Sequence, residues 1–359
     1  MLKTLQNAFK IKEVREKLLY TFFMLVVIRI GSQLPIPGVN TTFFQELFTR
    51  QSNDAFGFFN MITGGSFTNM SVFALSITPY ITSSIIMQLL TIAIPKLEEM
   101  QKDGEDGRKK IAEYTRYLTV GLALFESCAM AVGLGGKGLL LEDHRNIWGY
   151  LTVVAAMTAG SALLMWIGER ITDNGVGNGI SIVLLINIVS GTPQDMMTLY
   201  ERFMAGRSVA VATVSGIIVL AIIVAIVVFV LVLNDAERRI PVQYSKKMQG
   251  RRMIGGQSTY IPLKVNTANV IPVIFASSIM SMPVMIAQFF HVDYSTIGGK
   301  ILLALSSSNW FKPEAPAYSI GMLVYIVLVV LFAYFYTSIT FNPLEVANNM
   351  KKSGGFIPG

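Results

Sequence analysis

The sequence predicts an all-α membrane protein, a polytopic bundle of about eight transmembrane helices. Three observations lead to this prediction. Hydrophobic residues make up 52% of the 359-residue chain and charged residues only 14%, whereas about a quarter of the residues in soluble domains are charged. Apolar segments recur along the chain at lengths close to the roughly 20 residues that a helix needs to cross a bilayer. The basic residues are also distributed unequally between alternate connections.

Eight segments qualify as spans, with different clarity. The sixth is the clearest, because it contains no charge and exceeds the minimum length enough to indicate a tilted helix. The fifth is the weakest, because Asn187, Gly191 and Pro193 interrupt it. The predicted spans are residues 18–34, 72–94, 116–136, 149–168, 179–197, 208–233, 269–290 and 317–340.

The Lys and Arg residues fix the expected orientation. Of the 29, 21 fall on the side that holds both ends of the chain and 7 on the other, and Arg29 lies within the first span. Basic connections remain in the cytoplasm, so both ends are expected there, in a multi-pass protein of the plasma membrane. The first 20 residues are polar and basic, without the apolar core of a cleavable signal peptide, so we expect the first span to be its own insertion signal.

The second span is too polar for a helix that faces lipid on all sides. Residues 71–90 read SVFALSITPYITSSIIMQLL and include Gln88, which cannot hide its amide as a hydroxyl can, and Pro79, which is expected to free a helix carbonyl. Two interpretations remain open. The helix either lies within a bundle, joined to its neighbours by hydrogen bonds, or it lines an aqueous path.

The outer connection before this span predicts a half-length helix. Residues 56–70 read FGFFNMITGGSFTNM, which is too short for a span and too apolar for a free loop. A helix that folds back into the membrane fits, provided that protein shields it. The alternative is an amphipathic helix on the outer surface. Pro79 and Pro272 are each followed by a Ser-Ser-Ile triplet, which hints at an inverted repeat, although so short a pattern also recurs by chance.

The sixth connection predicts a cytoplasmic docking surface. Residues 234–266 carry seven positive charges against two negative ones, and the runs IPVQY and TYIPLKV are expected to pair as a hairpin. Such a surface suits RNA or an acidic protein. The alternative is a topogenic loop that anionic lipids attract.

The chain lacks the parts of most membrane enzymes. Its two histidines, His144 and His291, lie in outer connections, its single cysteine is Cys128, and Arg29 and Glu126 are nearly the only ionisable groups within spans. These residues predict no enzyme, no metal site and no cofactor, and they argue against a membrane-embedded hydrolase or a proton relay. The GVGNG run at 175–179 lacks the lysine of a phosphate loop and is expected to be a tight turn before the fifth helix.

Four motifs follow one another along the chain: VFALSITPYITSSIIMQLL, WIGERITDNGVGNGISIVL, ERRIPVQYSKK and GGFIPG. Their order and spacing, over essentially the whole chain, resemble those of the SecY family, the channel subunits of the bacterial Sec protein translocase. Ser76 stands where the family's motif usually has glycine. Family members have ten spans, so the resemblance implies that Gly359 lies within the last large cytoplasmic loop and that the ninth and tenth spans are missing.

The resemblance implies a role for several sets of residues. A half-helix at about 60–72 would plug the pore from outside, with Asn60, Gly64, Gly65, Ser66 and Phe67 in the plug. A ring of aliphatic side chains would form the constriction: Ile77, Ile81, Leu184 and Ile274. Polar groups would line a lateral gate between the second and seventh spans: Thr82, Gln88, Asn269 and Ser277. Basic residues would dock the SecA ATPase or the ribosome: Arg238, Arg239, Arg251 and Arg252.

The resemblance also implies an organisation in two halves. Residues 1–200 would hold spans 1–5 with the plug, and residues 201–359 would hold spans 6–8, the basic loop and the start of a second cytoplasmic loop at 342–359. The expected function is a channel that passes unfolded secretory polypeptides and releases hydrophobic segments into the lipid. The expected partners are SecE, SecG, SecA, the ribosome, SecDF and polypeptides that bear signal sequences. A small-solute secondary transporter is the alternative, although acidic groups at mid-membrane are scarce.

Overall fold

A computed structural model gives the architecture of the chain. It describes residues 9–44, 60, 62–244, 247–249, 252–254, 259–289, 296–306, 310, 316–341, 343–352 and 355–357. The chain forms two compact units. The first unit comprises Met1–Met196 and Met280–Gly321, and the second comprises Met197–Ile279 and Met322–Gly359. The predicted division at residue 200 stays a prediction.

Helices dominate both units. In chain order they are α1 (Lys12–Gln33), α2 (Thr78–Ala93), α3 (Pro95–Lys102), α4 (Glu105–Leu134), α5 (Ile147–Asn174), α6 (Gly179–Phe203), α7 (Val209–Asp235), α8 (Ile271–Phe289), α9 (Ile297–Leu305), α10 (Ile320–Thr340) and α11 (Pro343–Lys352). Every one of the eight predicted spans falls largely on one of these helices.

Helix length and composition identify the clearest spans among the described residues. Four helical segments are long and apolar enough to cross a membrane: α5, α6, α7 and the segment Pro316–Ser338, which includes most of α10. A fifth is obtained if α2 and α3 count together as one broken span. The chain bends by 102° between these two helices. The break falls at Ile94, directly before Pro95, which cannot continue a helical hydrogen-bond ladder.

The turn between α5 and α6 is the tight turn that the GVGNG run predicts. Gly177 adopts a φ of 71°, a left-handed conformation that glycine reaches without strain. The Val176 amide donates to Thr21 Oγ1 of α1 at 3.1 Å, and the Gly179 amide donates to Thr172 Oγ1 at 2.9 Å. The turn therefore ties three helices of the first unit together.

The second unit carries the predicted cytoplasmic hairpin. Strand β1 (Glu237–Tyr244) pairs antiparallel with β4 (Thr259–Lys264), in a register that places Ile240 opposite Ile261. Between them lie the short strands β2 (Lys247–Gln249) and β3 (Arg252–Ile254), which pair with each other. Strand β5 (Gly355–Phe356) adds to the other edge of β1, giving the order β4-β1-β5. The hairpin prediction is confirmed, and the sheet joins the two connections of this unit that are predicted to be cytoplasmic.

The core of the first unit is built around residues 62–77, here called the 62–77 segment. One apolar cluster combines Phe67, Met70 and Leu75 of this segment with residues of α4 and α5, and a second combines Phe73 and Ile77 with residues of α1, α5 and α6. All five of these side chains are at most 3% exposed. The segment is thus an internal element of the unit, which agrees with the shielding by protein that a re-entrant segment requires; residues 56–59 and 61 of the predicted half-helix lie outside the described residues.

Candidate functional site

The 62–77 segment is the first component of the candidate site, and its backbone differs from the predicted half-helix at 60–72. The chain is helical at residue 60 and at residues 62 and 63, and the segment then continues as a series of turns to residue 77. Gly64 and Gly65 have φ values of 62° and 83°, and Met70 and Ser76 also have positive φ. Left-handed residues end a helix. The Gly-Gly pair therefore replaces the half-helix by a compact run of turns.

Backbone hydrogen bonds attach this segment to the chain that follows α1. The Ile36 amide donates to the Met70 carbonyl and the Val72 amide to the Leu34 carbonyl, both at 3.0 Å. Pro35 and Ser71 form the antiparallel bridge between the two stretches. The predicted plug residues Ser66 and Phe67 lie just before this bridge and are each 1% exposed. Asn60, at the start, accepts the Gly65 amide through its carbonyl at 3.1 Å.

Glycines let the neighbouring helices approach the segment closely. A Cβ at position 160 of α5 would overlap the Val72 carbonyl oxygen, and a Cβ at Gly31 of α1 would overlap the Phe73 ring. A Cβ at Gly64 would lie 2.7 Å from the Asn187 carbonyl oxygen of α6. Since real Cβ atoms do not approach other atoms so closely, the three contacts require glycine.

Helix α2 starts directly after the segment, and its start corrects the expected role of Pro79. The helix begins at Thr78, so Pro79 lies in its first turn, where the missing N–H costs nothing. It therefore initiates a helix and interrupts none. Hydroxyls of α2 bond to their own helix, as Ser83 Oγ does to the Pro79 carbonyl at 2.7 Å and Thr91 Oγ1 to the Met87 carbonyl at 2.6 Å.

Three of the four predicted ring residues meet in the first unit. Ile77 is fully buried in the apolar cluster of α1, α5 and α6, and Ile81 and Leu184 are partly buried against the same cluster. Leu184, the least certain of these assignments from sequence, packs against the same cluster, and its place in the ring stays a prediction. Ile274 lies on α8 in the second unit, where it is half-buried.

The predicted gate residues are placed within their own units. In the first unit Thr82 is half-buried and Gln88 is exposed on α2. In the second unit, the backbone amide of Asn269, directly before α8, donates to Asn266 Oδ1 at 3.0 Å. Ser277 Oγ on α8 donates to the Tyr325 hydroxyl of α10 at 3.4 Å.

The starts of α2 and α8 repeat one another. Ser76 and Asn269 share a φ of 52°, each stands three residues before a proline, and each proline lies in the first turn of the helix that follows. A non-glycine residue rarely adopts a left-handed conformation. The shared conformation therefore supports the inverted repeat, for which the sequence alone offers only a short pattern.

A polar cluster beside the segment was not predicted. Arg29 Nη1 on α1 donates to Ser190 Oγ on α6 at 2.9 Å and to the Gly64 carbonyl at 3.4 Å. Asn187 Nδ2 donates to Ser76 Oγ at 2.9 Å. The charge of Arg29 within a span and the interruption of the fifth span by Asn187 were the available signals, but the sequence does not show that they point at each other.

The predicted docking residues are only partly described. Arg238 and Arg239 are exposed on β1, and the Arg239 guanidinium lies 4.7 Å from the centre of the Tyr260 ring on β4. Arg251 lies outside the described residues, and Arg252 begins β3.

Known proteins share both the sequence and the fold. The model of the SecY family matches residues 71–359. The chain belongs to the SecY family. It is 45% identical to the protein translocase subunit SecY of Streptomyces scabiei, over all of this chain and 82% of that protein, and 42% identical to that of Halalkalibacterium halodurans, over all of this chain and 81% of that protein.

Solved structures match the fold of this SecY chain. A structure described as a protein conducting channel matches with a TM-score of 0.59 at 19% identity, over 96% of this chain and 78% of that one. Sec61 in the canine ribosome-channel complex matches with a TM-score of 0.56 over 95% and 76%. The predicted fold class, a multi-pass helical membrane protein of the SecY type, is confirmed. The family also confirms a translocase channel subunit of the bacterial plasma membrane over a solute transporter.

Proposed function

We propose that this chain conducts unfolded secretory polypeptides outward across the plasma membrane and releases hydrophobic segments sideways into the bilayer. Membership of the SecY family supports the function. The observation that carries the mechanism is the packing of Ile77, Ile81 and Leu184 in one apolar cluster, at the point where the 62–77 segment ends and α2 begins. Aliphatic side chains at a constriction exclude water and ions by dewetting, and they form no directional bond that would retain a passing chain.

The family resemblance supports the other roles. Residues 60–72 are the plug that blocks the path at rest, in keeping with the burial of Ser66 and Phe67, which are each 1% exposed. Thr82 and Gln88 on α2 and Asn269 and Ser277 at α8 are the polar groups of the lateral gate. Signal sequences are apolar helices, so a path that opens toward lipid selects them by hydrophobicity. The resemblance also assigns Ile274, on α8, to the ring.

Partners supply what the chain lacks. No nucleotide-binding motif is present in the sequence, so the energy for transport comes from SecA or from the translating ribosome. SecE and SecG are the membrane partners within the translocase, and SecDF is a further functional partner. Both ends of the chain lie in the cytoplasm, in agreement with the excess of Lys and Arg on that side.

Crosslinking in membranes tests the path directly. Photo-reactive probes at Ile81 and Ile274, in the assembled complex, are expected to capture a secretory chain that has been stalled midway. A probe at Val227 serves as the control, because α7 has no buried residue and Val227 is 51% exposed. Capture at both positions supports the channel. Absence of capture at both, in a complex that translocates, would exclude these residues from the path.

The docking surface gives a second prediction. Replacing Arg251 and Arg252 together by Glu is expected to weaken SecA or ribosome association by about tenfold or more at low salt, because each reversal turns attraction to an acidic partner into repulsion. Membrane insertion is expected to be unchanged. Binding is measured by co-sedimentation with membrane vesicles. In the control protein, Arg145 and Lys300 in the outer connections are replaced by Glu. Equal binding by the parent, the control and the Arg251/Arg252 variant would contradict the docking role of Arg251 and Arg252.

A further inference from the structure

The polar cluster beside the 62–77 segment joins that segment to two helices. It consists of Arg29, Gly64, Ser76, Asn187 and Ser190, and is called here the Arg29 cluster. Beyond the two bonds from Arg29, Ser190 Oγ lies 2.6 Å from the Asn187 carbonyl oxygen and 3.5 Å from the Gly64 carbonyl oxygen. The cluster therefore contacts the segment near both of its ends, at residues 64 and 76.

The charge of Arg29 makes the cluster costly to break. A guanidinium within a span needs partners, because the surrounding hydrocarbon offers none. Among the described residues, no carboxylate lies within salt-bridge distance of Arg29. Its described partners are the Ser190 hydroxyl and the Gly64 carbonyl. If the segment moved away, Arg29 would lose one acceptor and Ser190 would lose a neighbour.

At the Ser76 end of the segment, only one of the two polar groups of the Asn187 side chain has a hydrogen-bond partner among the described residues. The residue is 2% exposed, and its Nδ2 donates to Ser76 Oγ, but its Oδ1 is buried without a hydrogen-bond partner. A buried unpaired acceptor destabilises the arrangement that contains it. At this end, the Asn187 side chain therefore holds the segment by the single bond to Ser76.

We infer that the Arg29 cluster is a latch, in which Arg29, Asn187 and Ser190 are positioning residues that hold the 62–77 segment closed and set the stringency of signal selection. This inference rests on the proposed channel function. A substrate must supply the free energy that separates residues 64 and 76 from α1 and α6. A weaker latch opens even for a signal sequence of low hydrophobicity. The selection of signal sequences and the seal against ions therefore depend on the same few hydrogen bonds.

The opening rate of the segment can be measured with a thiol probe. Cys128 is the only cysteine in these 359 residues, so Ser66→Cys in a background in which Cys128 and any other accessible cysteine of the complex are replaced by Ser places one reactive thiol at a position that is 1% exposed. The full-length protein is assembled into vesicles with its partners, and a membrane-impermeant maleimide is added on the outer side. Ser190→Ala is expected to increase the labelling rate by about threefold to tenfold, because one hydrogen bond of the closed state is lost.

Two matched variants distinguish a latch from a general loss of structure. Ser190→Thr retains the hydroxyl and is expected to label at the parent rate. Thr213→Ala removes a hydroxyl from α7 that bonds only its own helix, at the Val209 carbonyl, and should also leave the rate unchanged. Labelling that is equally fast in Ser190→Ala, Ser190→Thr and Thr213→Ala would overturn the latch.

Translocation of a secretory precursor by the same vesicles separates the latch from the channel function. If the parent translocates and Ser190→Ala labels at the parent rate, the latch is wrong and the channel stands. If Ser190→Ala labels faster but the parent does not translocate, the channel proposal fails, whereas the attachment of the segment by Ser190 is upheld.

Discussion

Replacing Gly160 by valine is expected to prevent the first unit from forming its native core. The new Cβ would overlap the Val72 carbonyl oxygen. The Val72 backbone cannot retreat, because its amide is bonded to the Leu34 carbonyl and Phe73 beside it is 3% exposed. We expect a loss of about 3 kcal/mol or more in stability, the range of severe overpacking. Resistance of the detergent-solubilised complex to heat and protease measures this loss.

The matched control for this prediction is Gly121→Val on α4. The substitution is the same and the site is again the interior of a long helix, but nothing lies within 4 Å of a Cβ at position 121. Because Val has a higher helix propensity than Gly, the stability there should change by less than about 1 kcal/mol. Equal losses in the two variants would show that the approach to Val72 does not decide the effect.

The sequence predicts the elements whose physics is local. Bilayer thickness sets the length of an apolar helix, so the spans were visible as segments, and the paired runs around Ile240 and Ile261 were visible because alternation and turn residues lie within one stretch of chain. Gly177 in a tight turn is likewise a local effect. The family motifs added the roles of the ring residues, of which Ile77, Ile81 and Leu184 share one cluster in the first unit.

The remaining features depend on contacts between distant residues. Pro79 looked like an interruption of the second span, because its position relative to the helix start is set by the left-handed backbone at Ser76. The predicted half-helix ended early for the same kind of reason, at Gly64. No local pattern shows that Arg29 lies 2.9 Å from Ser190, 161 residues along the chain.

The polar groups of the second span have partners of two kinds in the structure. Ser83 and Thr91 donate to carbonyls of their own helix. Ser76, in the same stretch, accepts a hydrogen bond from Asn187 of α6. Gln88 is exposed within the described residues. Both interpretations from the sequence, a helix within a bundle and a helix along an aqueous path, therefore stay open.

Replacing Ile81 by asparagine is expected to make the resting channel leak ions. Ile81 is partly buried against the cluster that contains Ile77, and an amide at this position would bind water where the constriction is dry. We expect the leak to rise about tenfold or more, equivalent to lowering the barrier by about 1.4 kcal/mol, and precursors with weak signal sequences to be accepted. Ion flux from vesicles, measured without substrate, gives the first quantity, and export of a signal-defective precursor gives the second.

Ile92→Asn on the same helix is the control that assigns the leak to the constriction. Ile92 is 47% exposed and lies in the last turn of α2, beyond the cluster around Ile77. The substitution changes the polarity of α2 by the same amount, so a general weakening of the helix would raise the leak in both variants. If the ring is dry, the leak rises in Ile81→Asn and stays at the parent level in Ile92→Asn. The same reasoning applies to Ile274→Asn in the second unit, and an unaltered leak at both Ile81 and Ile274 would place the ring elsewhere in the channel.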